Sequence, residues 1–137
     1  MSHTIFITGG ASGIGFGIAE NLAKDGHHVV LADINEQAAT DAAKRLTDQH
    51  LKASAIAVDV TDAEAVAALP RQLGNLNIDI LINNAGIQHV ARLEEFPAQK
   101  WQQLIDIMLV APALLTQAFL PGMRKRNFGR IINVGSI

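Results

Sequence analysis

Apolar residues fall along this chain in short runs that alternate with helical patterns. Thr4–Thr8 and residues 28–32, 53–58, 78–82 and 130–134 are each dominated by Val, Ile, Leu and Ala. Runs that do not alternate with polar residues read as strands buried on both faces, as in a parallel sheet covered by helices. Between them lie segments with helical periodicity. Residues 15–25 close on Gly26 at a C′ position, residues 35–50 start at a capping Asn35, and a third segment runs from Thr61 or Asp62 to Leu73. A longer helical stretch covers residues 97–126 and should bend at Pro112 and Pro121. Within it Trp101, Leu104, Ile105 and Met108 share one helical face and read as core, with Asp106 towards solvent. Repeated strand–helix–strand units with right-handed crossovers predict an α/β fold: a doubly wound parallel sheet of Rossmann type, forming one domain over residues 1–137.

Composition narrows the function classes. Of the 137 residues 49% are apolar and 18% charged, which suits a packed globule. A net charge of −2 gives no electrostatic reason to expect nucleic acid or an anionic membrane as partner. No uninterrupted apolar run reaches the roughly 20 residues of a membrane span, and Met1-Ser2-His3-Thr4 does not open a signal peptide. With no cysteine, disulfides, thiolate metal sites and a Cys nucleophile are excluded, and a cytoplasmic location is expected. Arg124-Lys125-Arg126 suits the negative end of a helix dipole. His27-His28 precede a strand and read as solvated or half-packed, and no metal site is expected.

The chemistry begins at Thr8-Gly9-Gly10-Ala11-Ser12-Gly13-Ile14-Gly15, between the first strand and the first helix. Glycines let the backbone turn tightly and approach a pyrophosphate, and the helix start offers free N–H groups and a positive dipole end. Gly9, Ser12, Gly13, Ile14 and Gly15 are therefore candidate cofactor residues. The spacing is neither G-x-G-x-x-G nor a Walker loop, because no Gly-Lys-Ser/Thr follows. Asp33, at the carboxyl end of the second strand, can accept hydrogen bonds from the adenosine ribose hydroxyls and would repel a 2′-phosphate. No Arg or Lys stands in the glycine turn or just after Asp33. The expected cofactor is NAD rather than NADP.

Four motifs in order resemble the short-chain dehydrogenase/reductase family: Thr8-Gly9-x3-Gly13-x-Gly15, Asp59-Val60, Asn83-Asn84-Ala85-Gly86 and Ile131-Ile132-Asn133-Val134-Gly135-Ser136. The resemblance implies that Asp59 and Val60 contact adenine and that Asn84, Ala85 and Gly86 line the cofactor crevice. It also implies that Ser136 is the catalytic serine holding the substrate oxygen. Residues 85–90, 93–97, Trp101 and 120–133 are similar to the 3-hydroxybutyrate dehydrogenases within that family. This implies a hydroxy-acid substrate, with Gln88 on its carboxylate, and a homotetramer.

Two features depart from the family pattern. Met108 stands where the family has an asparagine whose backbone carbonyl holds a water of the proton relay. In a regular helix that carbonyl would accept from residue 112, which is Pro112 and has no N–H. The expectation is that Pro112 keeps the Met108 carbonyl open for the relay. The family's general acid/base is a Tyr with a Lys four residues later, and this chain contains no tyrosine. The chain therefore reads as the family's N-terminal half, lacking its C-terminal strands, inactive alone and marginally stable, with its fifth strand left as an open edge.

Overall fold

The computed structural model describes residues 1–136. In chain order the elements are β1 (Thr4–Thr8), α1 (Gly13–Lys24), β2 (His28–Asp33), α2 (Glu36–Thr47), β3 (Ala53–Ala57), α3 (Ala63–Leu73) and β4 (Ile80–Asn83). A short 3₁₀ turn, Leu93–Glu95, leads into α4 (Ala98–Ile105), a π-helical segment (Asp106–Val110), α5 (Ala111–Lys125) and β5 (Arg130–Asn133). All five strands are parallel, in the order β3-β2-β1-β4-β5. The chain steps outward from β1 to β3 and then crosses back to β4 on the other side of β1. Loops leaving β1 and β4 therefore diverge, and a crevice opens at the carboxyl end of the sheet.

The period of two along each strand divides the core. Ile5, Ile7, Val29, Leu31 and Ile82 pack under α1 and α2 with Phe16, Ala19, Ala42 and Leu46. Phe6, Val30 and Leu81 face the other way, onto Val66 and Leu69 of α3 and Leu115, Phe119 and Met123 of α5. Helices thus cover both faces, as a doubly wound sheet requires. Burial on both faces holds for β1, β2 and β4 but not for the edges: β3 is only partly covered and every residue of β5 is exposed.

Local chemistry sets the element ends. Asn35 accepts from the Ala38 N–H, and Asp62, rather than Thr61, caps α3 by accepting from Glu64 and Ala65. Gly26 takes a φ of +95° after α1, as a C′ glycine should. α2 stops at Thr47, short of the expected His50, which has a φ of +64°. β4 starts at Ile80 rather than residue 78. The Ile78 carbonyl is taken by the Arg126 guanidinium at 2.8 Å, and the Asp79 carboxylate accepts from the Thr4 N–H at 2.9 Å.

The expectation of a core stripe on the long helix is corrected. Trp101, Ile105 and Met108 are 48%, 44% and 45% exposed. The stripe that does pack on the sheet is Ala111, Leu115, Phe119 and Met123, at steps of four. The absence of any membrane-length run is corrected too. Ala98–Lys125 is one helix of 28 residues with a mean hydropathy of 1.7 in its most apolar window, enough by length and composition to cross a membrane. Counting only uninterrupted apolar residues missed it, because Asp106, Thr116 and Gln117 punctuate the run. Its α5 half is packed on the sheet with α3, the place of a layer helix in an α/β fold.

His28 sits at the start of β2 with its ring Nε2 3.0 Å from Ser54 Oγ of β3. Burial, and then the nearby Lys52 ammonium, lower its pKa from the ordinary 6.5. The unfolded chain therefore binds the proton more readily than the folded one. This penalty is absent above the unfolded value and grows as pH falls through it, so stability drops on the acid side. Thermal melts between about pH 7.5 and about pH 5.5, the range in which imidazole titrates, should show a smaller acid loss for His28→Gln than for the wild type. An equal loss would show that His28 contributes nothing to it.

Candidate functional site

The site begins where β1 ends. Thr8 is 2% exposed and is followed by Gly9, whose φ of +63° reverses the chain. The Gly10 N–H then donates to the Ala32 carbonyl of β2 at 3.2 Å, closing the turn against the neighbouring strand. Ser12 is the extended N-cap of α1, with no side-chain cap bond, and its carbonyl accepts from the Phe16 N–H. The N–H groups of the next three residues, Gly13, Ile14 and Gly15, have no acceptor within the helix and are what a helix start offers an anion. Gly15 has no room for a side chain. A Cβ there would overlap the Gly9 carbonyl oxygen and stand 2.5 Å from Asn84 Nδ2.

A second turn, after β4, is latched to the first. Thr8 Oγ1 accepts from two successive backbone N–H groups, Asn84 at 3.0 Å and Ala85 at 2.9 Å. Asn84 Nδ2 donates back to the Thr8 carbonyl at 3.2 Å and lies 3.4 Å from the Gly9 carbonyl. Two loops 76 residues apart in sequence are thus held by side chains of strand-end residues. Beside them Asn83 Nδ2 donates to Asn133 Oδ1 at 2.9 Å, tying β4 to β5.

Between these turns lies a cleft of about 360 Å³. Of the residues expected around a cofactor, Gly9, Ser12, Asp33, Asp59, Val60, Asn84, Ala85 and Gly86 line it. Gly13, Ile14 and Gly15 stand at the start of α1 instead, outside the lining. Asp33 Oδ1 accepts from the Asn35 N–H at 3.1 Å, and Asp59 Oδ1 accepts from the Thr61 N–H at 2.9 Å and its hydroxyl at 2.6 Å. Each carboxylate is thereby fixed at its strand end. A glycine turn with no space for a Cβ at Gly15, a helix start and two anchored carboxylates around one cleft fit a dinucleotide, which α1 could hold by its phosphates, Asp33 by its ribose hydroxyls and Asp59 and Val60 by its adenine.

Sequence reading missed Ala32, Ile34, Val58, Ile87 and Ile107, which complete the lining. Four of them adjoin motif residues and could have been found by position. Ile107 could not, because it lies in the π-helical segment, where regular helical spacing does not hold. The other candidates lie outside this cleft. Gln88 is exposed in the irregular segment after Gly86, and Ser136 lies three residues beyond β5. Met108 lines a separate cleft with Asn83, Pro112, Thr116 and Asn133, and its methyl is 3.5 Å from where a Gly86 Cβ would stand. In the π-helical segment the Ala111 N–H donates to the Asp106 carbonyl, five residues back.

The profile of the short chain dehydrogenase family matches residues 3–137. The chain belongs to the short-chain dehydrogenases. Among relatives in that family it is 45% identical to the oxidoreductase YxjF of Bacillus subtilis, covering 96% of this chain and 52% of that one. It is 41% identical to gluconate 5-dehydrogenase of Gluconobacter oxydans and 38% identical to D-beta-hydroxybutyrate dehydrogenase of Cupriavidus necator, with 96% and 97% of this chain and 52% of each relative covered. The L-sorbose reductase of Gluconobacter frateurii, solved with NADPH and L-sorbose, superposes with a TM-score of 0.92 at 35% identity, over 99% of this chain and 53% of that one. The chain spans about half the length of the short-chain dehydrogenases it matches.

Proposed function

We propose that this chain is the cofactor-binding half of an NAD-dependent dehydrogenase that, in the complete protein, oxidises D-3-hydroxybutyrate to acetoacetate. The observation that carries the cofactor part is the Asp33 carboxylate, fixed at the end of β2 in the same cleft as Gly9 and Ser12. It accepts from both ribose hydroxyls and repels a phosphate on one of them. The start of α1 binds the pyrophosphate, and Asn84, Ala85 and Gly86 form the floor.

A bound nicotinamide supplies the hydride acceptor. On the protein side, Ser136 orients the substrate oxygen and Gln88 donates its amide N–H to the carboxylate. The 137 residues contain no tyrosine, so the proton transfer assigned to a Tyr–Lys pair has no donor here. Dinucleotide binding without turnover is the expected behaviour. Gln88 and the hydroxybutyrate dehydrogenase among the relatives support this substrate; the gluconate and sorbose enzymes support a second reading, a sugar or sugar-acid dehydrogenase. A homotetramer belongs to the same proposal, supported by the exposed apolar surface at Trp101, Ile105 and Leu109, the kind that assembly covers.

Fluorescence titration should show NADH binding about tenfold or more tighter than NADPH, the scale of one unfavourable charge contact. Asp33→Ser with Ile34→Arg should reverse the order. Equal affinities in the wild type would end the NAD assignment. In the complete protein, NADH formation with D-3-hydroxybutyrate but not gluconate would uphold the substrate, and the opposite pattern would replace it with the second reading.

A further inference from the structure

In an uninterrupted α-helix Leu104, Met108, Ala111 and Leu115 fall at i, i+4, i+7 and i+11, a single buried stripe. The chain does not obey this. Ala111 and Leu115 are each 1% exposed, yet Met108 is 45% exposed. The half-buried apolar residue of this segment is Ile107, and it lines the cofactor cleft beside Val58, Asp59 and Val60. The change of face coincides with the π-helical segment Asp106–Val110.

Proline chemistry explains where that segment lies. Pro112, in the first turn of α5, brings no N–H for the Met108 carbonyl, and its ring crowds the carbonyl four residues back. Widening the preceding turn relieves the crowding, and the bond from Ala111 to Asp106 spans five residues instead of four. One extra residue in a turn rotates everything before it relative to α5. Met108 leaves the sheet-facing stripe, and Ile107 swings to the Asp59 end of the cleft.

We propose that Pro112 is a positioning residue for dinucleotide binding: by forcing the π turn it sets Ile107 against the adenine-bearing end of the cofactor. The inference rests on the cofactor reading above and adds to it a residue outside the cleft. It differs from the expectation that Pro112 acts through the Met108 carbonyl, because the effect it predicts is on affinity and needs no catalysis.

The test uses NADH as probe and the full chain. Pro112→Ala restores an N–H to the helix, so its melting temperature should equal or exceed that of the wild type. Its Kd for NADH should nevertheless rise about five- to tenfold, the loss expected when an apolar side chain leaves a ligand contact. Ile107→Ala should weaken binding by a similar factor. The double variant should be no weaker than Pro112→Ala alone, because both changes remove one contact. Unchanged NADH affinity in Pro112→Ala, or full multiplication of the two effects in the double variant, overturns the inference and leaves the cofactor reading standing. A folded wild-type chain that binds neither NADH nor NADPH overturns both.

Discussion

Gly15→Ala should raise the Kd for NADH at least about a hundredfold and destabilise the chain by about 1–3 kcal/mol, the usual cost of forcing extra volume into a packed site. Gly15 has a φ within the ordinary range, and in an open helix Ala is favoured over Gly by about 1 kcal/mol. Any loss must therefore come from contact. The added methyl would overlap the Gly9 carbonyl oxygen and press on Asn84 Nδ2. Neither can give way alone, because Asn84 is bonded to the backbone of Thr8. Relief requires pushing α1 away from the turn, which opens the phosphate end of the cleft. Gly17 provides the control. It lies in the same helix, a Cβ there meets nothing within 4 Å, and Gly17→Ala should be neutral or stabilising with NADH affinity intact. Thermal unfolding and NADH titration of the two variants settle the matter; matching behaviour would mean that the close approach at Gly15 has no consequence.

Thr8→Val should cost about 2–6 kcal/mol of unfolding free energy, because two part-buried N–H groups lose their acceptor at about 1–3 kcal/mol each. Valine matches threonine in shape and suits a strand equally well, so only the hydroxyl is removed. The Asn84 and Ala85 N–H groups both point at that oxygen. Without it the bond from Asn84 Nδ2 is what still ties this turn to the Thr8 backbone, and NADH binding should weaken with stability. Thr8→Ser keeps the oxygen and should recover most of both. Urea unfolding gives the measurement: a loss below about 1 kcal/mol for Thr8→Val would show that the latch is not what joins the two turns.

Much of this architecture was legible in the residues. The five strands follow from apolar runs, the caps at Asn35 and Asp62 from side chains that accept backbone bonds, and the C′ role of Gly26 from its freedom to adopt positive φ. The glycine turn, Asp33, Asp59 and Asn84-Ala85-Gly86 gather at one cleft because each lies at or just beyond the carboxyl end of a strand, and parallel strands end on the same side. What sequence could not show depends on partners or on bond register. Apolar content alone reads β3 and β5 as buried on both faces, yet they are the sheet's two edges; for β5 the family resemblance already implied an open edge, for β3 nothing did. Trp101, Ile105 and Met108 were misread because their stripe assumes a regular helix, and the turn before Pro112 breaks that phase. The same break hid Ile107. Gln88 and Ser136 stand outside the cleft, and their roles belong to the substrate proposal rather than to the cofactor site.

The latch between Thr8 and Asn84 also has a meaning for time. Its partners lie 76 residues apart, and between them the chain must lay down two strands on one side of β1 before β4 can close on the other. Long-range parallel pairings of this kind form late, since the intervening loop entropy is spent before any contact repays it. A nascent chain that has reached β3 carries the whole glycine turn and Asp33 yet has nothing to shut against them. On the proposed cofactor reading, the site closes only when β4 pairs with β1, so the ligand meets turns that this pairing has already brought together rather than seeding their approach.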